Sequence, residues 1–510
     1  MRKIDTSVFI GIDIGTTLIK CSAVDLYGRT VASHRHCNQL DYSKAGRAEC
    51  NMVQLWENVA ETIACVMHQL TSKHKVEAVS VAGNMVGLWI LNKEMEPLQP
   101  AILWNDSRAL PVLKSWIKNG VADRVFDLSL NVMNPGFTIP LLRWMQQNEQ
   151  KKLNQAKHIF FCKDFIRYEL TGEVSTEETD ACHIPGDIHT RKYSEEIFEI
   201  CGVGEYMHLF PEIHQSTEIA GVITKQAAER TGLPTGTPVV MGMGDVSASI
   251  VGLGCVSHND LSLIIGTSCL CNATQNMPLF PPRSAGLSFL LPESNIARSL
   301  PNQTGTIALD WYIKEFFNMK SSPSKCEWDD LMIEMQKQVP DGSNGLIFHA
   351  YLNHTGVLAP VYEPSARGRL WGLHVQHNKY SILKSLFEGL SYAIEDCFSS
   401  LEGVDVHTVR IAGGASGNEY FTQLIADVLG ASLEKVENQD VGAIGSAMAA
   451  GVGIGLWRSL EEASHSLCRV KSIIEPDQKR HEFFVPIVKQ YKKLRSHLSE
   501  EYLEESKWEN

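Results

Sequence analysis

Gly11-Ile-Asp-Ile-Gly-Thr-Thr17 closes an apolar run that begins at Val8, and a shorter form of the phrase, Ile265-Gly-Thr-Ser268, closes a second apolar run from Leu261. The first is followed by Cys21 to Asp25, the turn residues Leu26-Tyr-Gly-Arg29 and the run Thr30 to Ser33; the second is followed by Cys269 to Ala273. Each reads as strand, polar turn, strand. Two such openings at the heads of two similarly sized halves predict a duplicated fold with one phosphate-holding loop per lobe. Behind the first opening, Leu55, Val59, Ile63, Val66, Met67 and Leu70 recur at helical spacing and Val76 to Val81 returns to strand, which is how an α/β domain begins.

The length agrees with duplication. A chain of 510 residues exceeds what one hydrophobic core serves, so two domains of about 250 residues are expected. The most turn-rich stretch, Gly232-Leu-Pro-Thr-Gly-Thr-Pro238, lies near the midpoint and sets the expected division at residues 1–248 and 249–510. In the first half, Asn84 to Arg108 alternates short strands (Leu88 to Leu91, Ala101 to Trp104) with polar turns. Leu153 to Thr190 reads as a helix followed by an irregular polar loop, and helical period returns at Thr224 to Thr231. In the second half, Val409 to Ala412 reads as a strand, Tyr420 to Leu429 as an amphipathic helix, Ala443 to Gly451 as a helix of small residues, and Glu500 to Asn510 as a charged, solvated tail.

Composition narrows the partners. Hydrophobic residues at 44% and charged residues at 21% are those of a folded globular chain. A formal charge of −13 argues against nucleic acid and anionic membranes, which need a basic surface. An acidic protein that binds ATP must build its phosphate site from backbone N–H groups, hydroxyls and Mg²⁺. The 13 cysteines form no pair of Cys-x-x-Cys motifs, and Cys269 and Cys271 read as alternation on a strand rather than a metal pair. Met1 to Ser7 lacks the apolar stretch of a signal peptide and no apolar run approaches the roughly 20 residues of a membrane span, so a cytoplasmic protein is expected.

The chemistry centres on Val239-Val-Met-Gly-Met-Gly-Asp-Val-Ser-Ala-Ser-Ile250, where an apolar strand delivers Asp245 onto a glycine-softened turn before a small-residue helix. Gly242-x-Gly244-x-x-Ser247 approaches a dinucleotide fingerprint, but Asp245 would sit where a pyrophosphate must approach and no acidic residue follows at the required distance. A catalytic carboxylate fits that turn better. In Gly11 to Thr17, Gly15 permits a tight turn, Thr16 and Thr17 can meet phosphate oxygens, and Asp13 belongs beside phosphates only with Mg²⁺ between; an ordinary hairpin with a strand-borne Asp remains the alternative. No Gly-x-x-x-x-Gly-Lys-Ser/Thr occurs, which disfavours a P-loop NTPase. Gly413-Gly-Ala-Ser-Gly-Asn418 lets a flat base lie against backbone, with Asn418 able to donate to and accept from adenine, or else it is a loop and helix cap. Trp104-Asn-Asp-Ser-Arg108 gathers an aromatic face, a carboxylate and a guanidinium in the way sugars are held; the alternative is a plain Asp–Arg pair.

In their shared order these pieces resemble the FGGY family of carbohydrate kinases, in the actin and hexokinase superfamily. The resemblance runs from about Phe9 to Gly455 and rests on Gly11 to Thr17, Leu103-Trp-Asn-Asp-Ser-Arg108, Lys163-Asp-Phe-Ile-Arg-Tyr-Glu-Leu-Thr-Gly172, Gly244-Asp245, Gly266-Thr-Ser268, Gly368-Arg-Leu-Trp-Gly-Leu373 with Phe387-Glu-Gly389, and Ala412-Gly-Gly-Ala-Ser416. It implies an α/β, two-lobed, actin/hexokinase-like (ribonuclease H-like) fold with duplicated domains and an interdomain cleft. It implies Asp245 as general base, Asp13 as the carboxylate organising Mg²⁺, and Thr16, Thr17, Gly266 and Thr267 as phosphate loops. Gly414 and Asn418 fall near adenine, and Asn84, Met85, Trp104, Asp106 and Arg108 near the sugar. The likeness is closest to xylulose and L-xylulose kinases, with two departures: Asn84-Met85-Val86 stands for Gln-Met-His, and Leu141 for the lysine usual after Pro140.

The expected activity is transfer of the γ-phosphate of ATP to a small sugar, a ketopentose such as xylulose. The alternatives are another polyol or aldonate (erythritol, glycerol, gluconate) or a non-catalytic, chaperone-like ATP-binding relative lacking base and sugar pocket. A homodimer is the expected oligomer.

Overall fold

The structure is a computed structural model that describes residues 6–279, 281–319, 324–353, 356–363 and 366–496. The tail from Glu500 to Asn510 and residues 1–5 of the N-terminal segment lie outside the described residues.

In the first half β1 (Ser7–Ile14), β2 (Leu18–Asp25) and β3 (Thr30–Cys37) form an antiparallel meander. α1 (Met52–Gln69) begins where the Asn51 side chain accepts from the Gln54 N–H, and its apolar stripe packs on the sheet. β4 (Lys75–Gly83) then returns parallel to β1. α2 (Cys162–Thr171) precedes β5 (Ile219–Val222) and β6 (Pro238–Gly244), which complete a six-stranded sheet in the order β5-β6-β4-β1-β2-β3. β6 runs parallel to β4, with β5 antiparallel at the edge. α3 (Asp245–Gly252) follows β6 without a loop.

The second half repeats the arrangement. β7 (Leu261–Ile265), β8 (Cys269–Gln275), β9 (Leu287–Leu290) and β10 (Ile296–Asn302) open it. α4 (Lys379–Ser399), β11 (Thr408–Ala412), α5 (Glu419–Leu429), β12 (Ser432–Val436), α6 (Val441–Gly453) and β13 (Val470–Ile474) follow. The seven strands lie in the order β9-β10-β8-β7-β11-β12-β13. As in the first sheet, an antiparallel meander (β10-β8-β7) meets two parallel strands (β11, β12) and an antiparallel edge (β13). The duplication read from two short phrases is therefore a duplication of topology.

α6 belongs to the second half in sequence yet packs on β1 and β4 of the first sheet and against α3. Glycines make this possible. A Cβ at Gly11 would lie 1.9 Å from the Ala443 carbonyl oxygen, one at Gly252 1.8 Å from that of Val441, and one at Gly445 2.0 Å from that of Ala248. Backbone thus touches backbone where sheet and helices cross, and the Ser446 hydroxyl donates to the Ile12 carbonyl at 3.2 Å. With α6 on one side and α1 on the other, seven of the eight β1 residues are buried, which is why that strand reads as a continuous apolar run rather than an alternating one.

One stretch differs from its sequence reading. Between Leu153 and Thr190 the helix occupies only Cys162–Thr171, and His158–Phe160 is instead a strand paired with Trp89–Leu91, a tertiary pairing that overrides local helical spacing. The polar residues Ser175 to Asp180 after it are buried, with Glu177 and Asp180 paired with Lys163, Glu178 with Arg191, and the Ser175 carbonyl accepting from Arg167. Among the described residues no helix is long and apolar enough to cross a membrane. All 13 cysteines are free thiols, and Cys269 and Cys271 are buried together on β8.

Candidate active site

Asp13 is the seventh residue of β1, buried, and opposite Lys20 across the β1–β2 hairpin, whose Nζ lies 3.1 Å from its Oδ2. Burial raises the proton affinity of Asp13; Lys20 opposes the rise and Asp440 adds to it. Lys20 stays charged, since attraction to Asp13 outweighs its own desolvation. α6 begins directly over this carboxylate: a Cβ on Gly442 would stand 2.6 Å from Asp13 Oδ2. Only glycine leaves the carboxylate room there.

Asp245 is the first residue of α3, placed where the parallel strand β6 ends, so its carboxylate meets the positive end of the helix and accepts from the Val246 N–H at 2.9 Å. Its pKa is nonetheless pushed up to about 8, first by burial and then by the charges of Asp13 and Asp180. The residue retains some accessible surface. Two carboxylates whose charges oppose each other's ionisation at neighbouring strand ends make this a candidate functional site.

One wall rises beside Asp245. The Asn84–Val86 segment follows β4; Met85 lies over Gly244, where a Cβ would meet its Sδ at 2.5 Å. Asn84 is buried, its Nδ2 donates to the Ile14 carbonyl at 3.2 Å and the Cys162 Sγ at 3.3 Å, and its Oδ1 is buried without a partner. Val86 adopts φ 56°, a region hostile to a β-branched residue, and its N–H donates to Asp180 Oδ1 at 3.0 Å.

Behind this wall lies a buried ionic network. Lys163 Nζ contacts Asp180 at 2.9 Å, Glu177 at 3.1 Å and Asp164 at 3.2 Å, with no side-chain exposure in any of the four. Burial alone would discharge this lysine, but three carboxylates hold its pKa above the ordinary value. Asp180, its desolvation only partly offset by Lys163, is pushed up to about 7. Glu177 accepts from the Thr179 hydroxyl at 2.7 Å, and Thr179 Oγ1 accepts from the Gly244 N–H at 2.8 Å. One short turn thus braces Val86 and the residue preceding Asp245.

The loop readings are met by tight turns. Gly15 N–H donates to the Leu18 carbonyl at 2.9 Å, leaving Thr16 part-exposed and Thr17 exposed at the tip. In the second half Gly266 N–H donates to the Ser268 carbonyl at 2.9 Å, Thr267 is exposed, and the Thr306 N–H and hydroxyl donate to the Gly266 carbonyl at 2.9 and 3.0 Å. Gly413, at φ 99°, packs against Ile265, where a Cβ would stand 2.2 Å from the carbonyl oxygen; Gly414 faces open space. Loop 266–268 and loop 413–418 are therefore neighbours. Asn418 caps α5, its Oδ1 accepting from the Phe421 N–H at 3.0 Å. The two halves meet near Asp13 through Arg35, whose Nη2 holds Asp440 at 2.8 and 2.9 Å.

Trp104 is 37% exposed and its Nε1–H donates to Thr16 Oγ1 at 2.9 Å. Asp106 is fully buried and bonded to Arg108 Nε at 2.9 Å and Nη2 at 2.8 Å and to the Ala48 N–H at 2.8 Å, while Arg108 also reaches Glu49 at 2.5 Å. These two residues brace the turn that carries Trp104. Leu141 is fully buried in the core.

The structure thus gathers Asp13, Thr16, Asn84, Met85, Trp104 and Asp245 around one floor, and loop 266–268 with loop 413–418 around another. Sequence reasoning missed Lys20, Asp180 and Thr179. Lys20 was accessible by counting hairpin register from Asp13; the others, far from Asp245 in sequence, gave no signal.

Comparison with known proteins adds the family. The model of the FGGY family of carbohydrate kinases, N-terminal domain, matches residues 8–252, and that of its C-terminal domain matches residues 261–454. The chain is similar to the xylulose kinase of Escherichia coli (strain K12), 29% identical over 493 residues covering 96% of this chain and 98% of that one. It is also similar to the L-xylulose/3-keto-L-gulonate kinase of the same organism, 25% identical and covering 96% and 97%. Among solved structures, the ligand-bound xylulose kinase from Lactobacillus acidophilus superposes with a TM-score of 0.89 at 23% identity, covering 98% of this chain and 99% of that one.

Proposed function

The chain belongs to the FGGY family of carbohydrate kinases and is an ATP-dependent sugar kinase; from that premise we propose that it phosphorylates a ketopentose of the xylulose type, with Asp245 as the general base. The observation carrying this reading is the floor itself: Asp245 at the end of β6, pushed up to about 8, beside Asp13 and next to the Gly244–Met85 contact. Relatives named as xylulose and L-xylulose/3-keto-L-gulonate kinases support the substrate class.

Phosphoryl transfer asks for little covalent chemistry and much alignment. In our reading the acceptor hydroxyl lies against Asp245, which takes its proton as the oxygen attacks. Asn84 stands beside the sugar and the exposed part of Trp104 packs on sugar C–H. The turns at Thr16–Thr17 and Gly266–Thr267 present N–H groups and hydroxyls to the phosphates, and Gly414 leaves space for the adenine, with the Asn418 amide NH₂ still free to donate after its oxygen caps α5. Residues 1–248 and 249–510 act as the two lobes whose closure excludes water.

Mg²⁺ fits this site. Among the described residues no group of three or more metal-binding side chains exists, so the protein offers no closed cage. Mg²⁺ with ATP needs none: one or two carboxylates, phosphate oxygens and water suffice, and Asp13 supplies the carboxylate. When bound, the ion would neutralise charge on the transferring phosphoryl group. A cation there would also relieve the mutual repulsion of Asp13 and Asp245, returning Asp245 to the ionised form a base requires.

A coupled ADP-release screen over ketopentoses, aldonates and polyols tests the reading. We expect a ketopentose to turn over best; turnover confined to glycerol, erythritol or gluconate would replace the substrate assignment while leaving the kinase intact.

A further inference from the structure

Resting on the reading of Thr16 as a phosphate-holding residue and Trp104 as a sugar-facing one, we infer that Trp104 is also a positioning residue for ATP: its indole N–H fixes the Thr16 hydroxyl as an acceptor and so turns that hydroxyl's proton toward the phosphates. The bond is 2.9 Å from Nε1 to Oγ1. Indole nitrogen can only donate, whereas a threonine hydroxyl carries one proton and accepts through its lone pairs. With one lone pair taken by the indole, the proton points away from Trp104, into the space at the tip of the hairpin where Thr16 and Thr17 are solvent-accessible. A phosphate oxygen, which only accepts, is what such a hydroxyl suits.

The backbone that carries the indole is held firmly. A Cβ on Gly136 would lie 2.0 Å from the Trp104 carbonyl oxygen, the Leu103 N–H donates to the Ala48 carbonyl at 3.0 Å, and the Asp106–Arg108 pair closes the turn beyond. The ring face remains accessible while its edge is engaged.

Trp104→Phe keeps a ring and removes the N–H. We expect the KM for ATP to rise about 3–10-fold, the loss of one modest hydrogen bond, with the KM for sugar changed less than about 2-fold. Thr16→Val should raise the ATP KM as much or more, Thr16→Ser should retain most of the wild-type value, and the double variant Trp104→Phe, Thr16→Val should be no worse than Thr16→Val alone. An unchanged ATP KM in Trp104→Phe, with a raised one in Thr16→Val, overturns the inference and leaves the proposed function standing. Unchanged ATP KM in Thr16→Val overturns the phosphate-loop reading itself, and multiplicative effects in the double variant show that the two residues act separately. Should Trp104→Phe not fold, the Trp104 indole N–H proton resonance gives the same answer: it shifts on Thr16→Val if the bond is made in solution, and a stationary resonance refutes it.

Discussion

Asp245→Asn separates what this residue does for activity from what it costs the fold. The carboxyl is carried from 3.8 in the unfolded chain to about 8 in the folded one, by burial and by Asp13 and Asp180. Below pH 4 both states are protonated and no penalty exists. Between pH 4 and about 8 the unfolded chain releases its proton while the folded one keeps it, so stability falls as pH rises; above about 8 both are ionised and the penalty is complete. At about 1.4 kcal/mol for each pH unit the full displacement corresponds to about 6 kcal/mol. Water on the cleft floor screens part of this, and about 1–3 kcal/mol is the expected net gain for Asn at pH 8. The variant should melt above wild type at pH 8 and match it near pH 4, in buffer without nucleotide or Mg²⁺. Turnover should fall by about 10²–10⁴, the contribution of a positioned base, while ATP still binds. A variant that keeps wild-type turnover refutes the base assignment; one whose stability relative to wild type does not grow with pH refutes the electrostatic argument.

Other consequences are equally direct. Gly445→Ala places a methyl 2.0 Å from the Ala248 carbonyl oxygen at the crossing of α3 and α6, and should lower the denaturant midpoint by an amount equal to about 2–3 kcal/mol; an unchanged midpoint would mean the helices are free to part. Lys163→Met leaves three buried carboxylates without their cation and should destabilise by about 3–5 kcal/mol at pH 8. That loss should shrink toward pH 5, because Asp180, already at about 7, takes up a proton once the lysine is gone; a pH-independent loss would contradict the role given to the network. Val86→His tolerates the φ of 56° at least as well as valine and returns an imidazole to the sugar wall. Its kcat/KM for D-xylulose should rise, and unchanged specificity would show that residue 86 does not select the sugar.

Much of the fold was legible in order along the chain. The hairpin openings, the continuous apolar β1 and the small residues of α6 are local consequences of turn chemistry, burial on both faces and close backbone approach, so periodicity and glycine placement reveal them. The stretch from Leu153 to Thr190 was not legible, because a strand at His158–Phe160 forms only in answer to Trp89–Leu91, and because buried charges look like a surface loop until their partners are known. The site divides in the same way. Asp13, Thr16 and Asp245 stand at turns that chain order exposes. Asp106 and Arg108 illustrate the limit: their residue types suit a sugar, yet in the folded chain they are bonded to one another and support Trp104.

The sequence by itself determined the α/β character, the duplication, the kinase family and the carboxylate on the strand end, since each depends on residues near one another in the chain. Only the tertiary structure decided that Asp180 bears on Asp245, that Thr179 holds Gly244, that Trp104 reaches Thr16 and that α6 returns to the first sheet over Asp13. Those relations join residues tens to hundreds of positions apart. A proton affinity, a hydroxyl's orientation and a backbone clearance are properties of distance in space, and distance in space is what packing two sheets around shared helices creates.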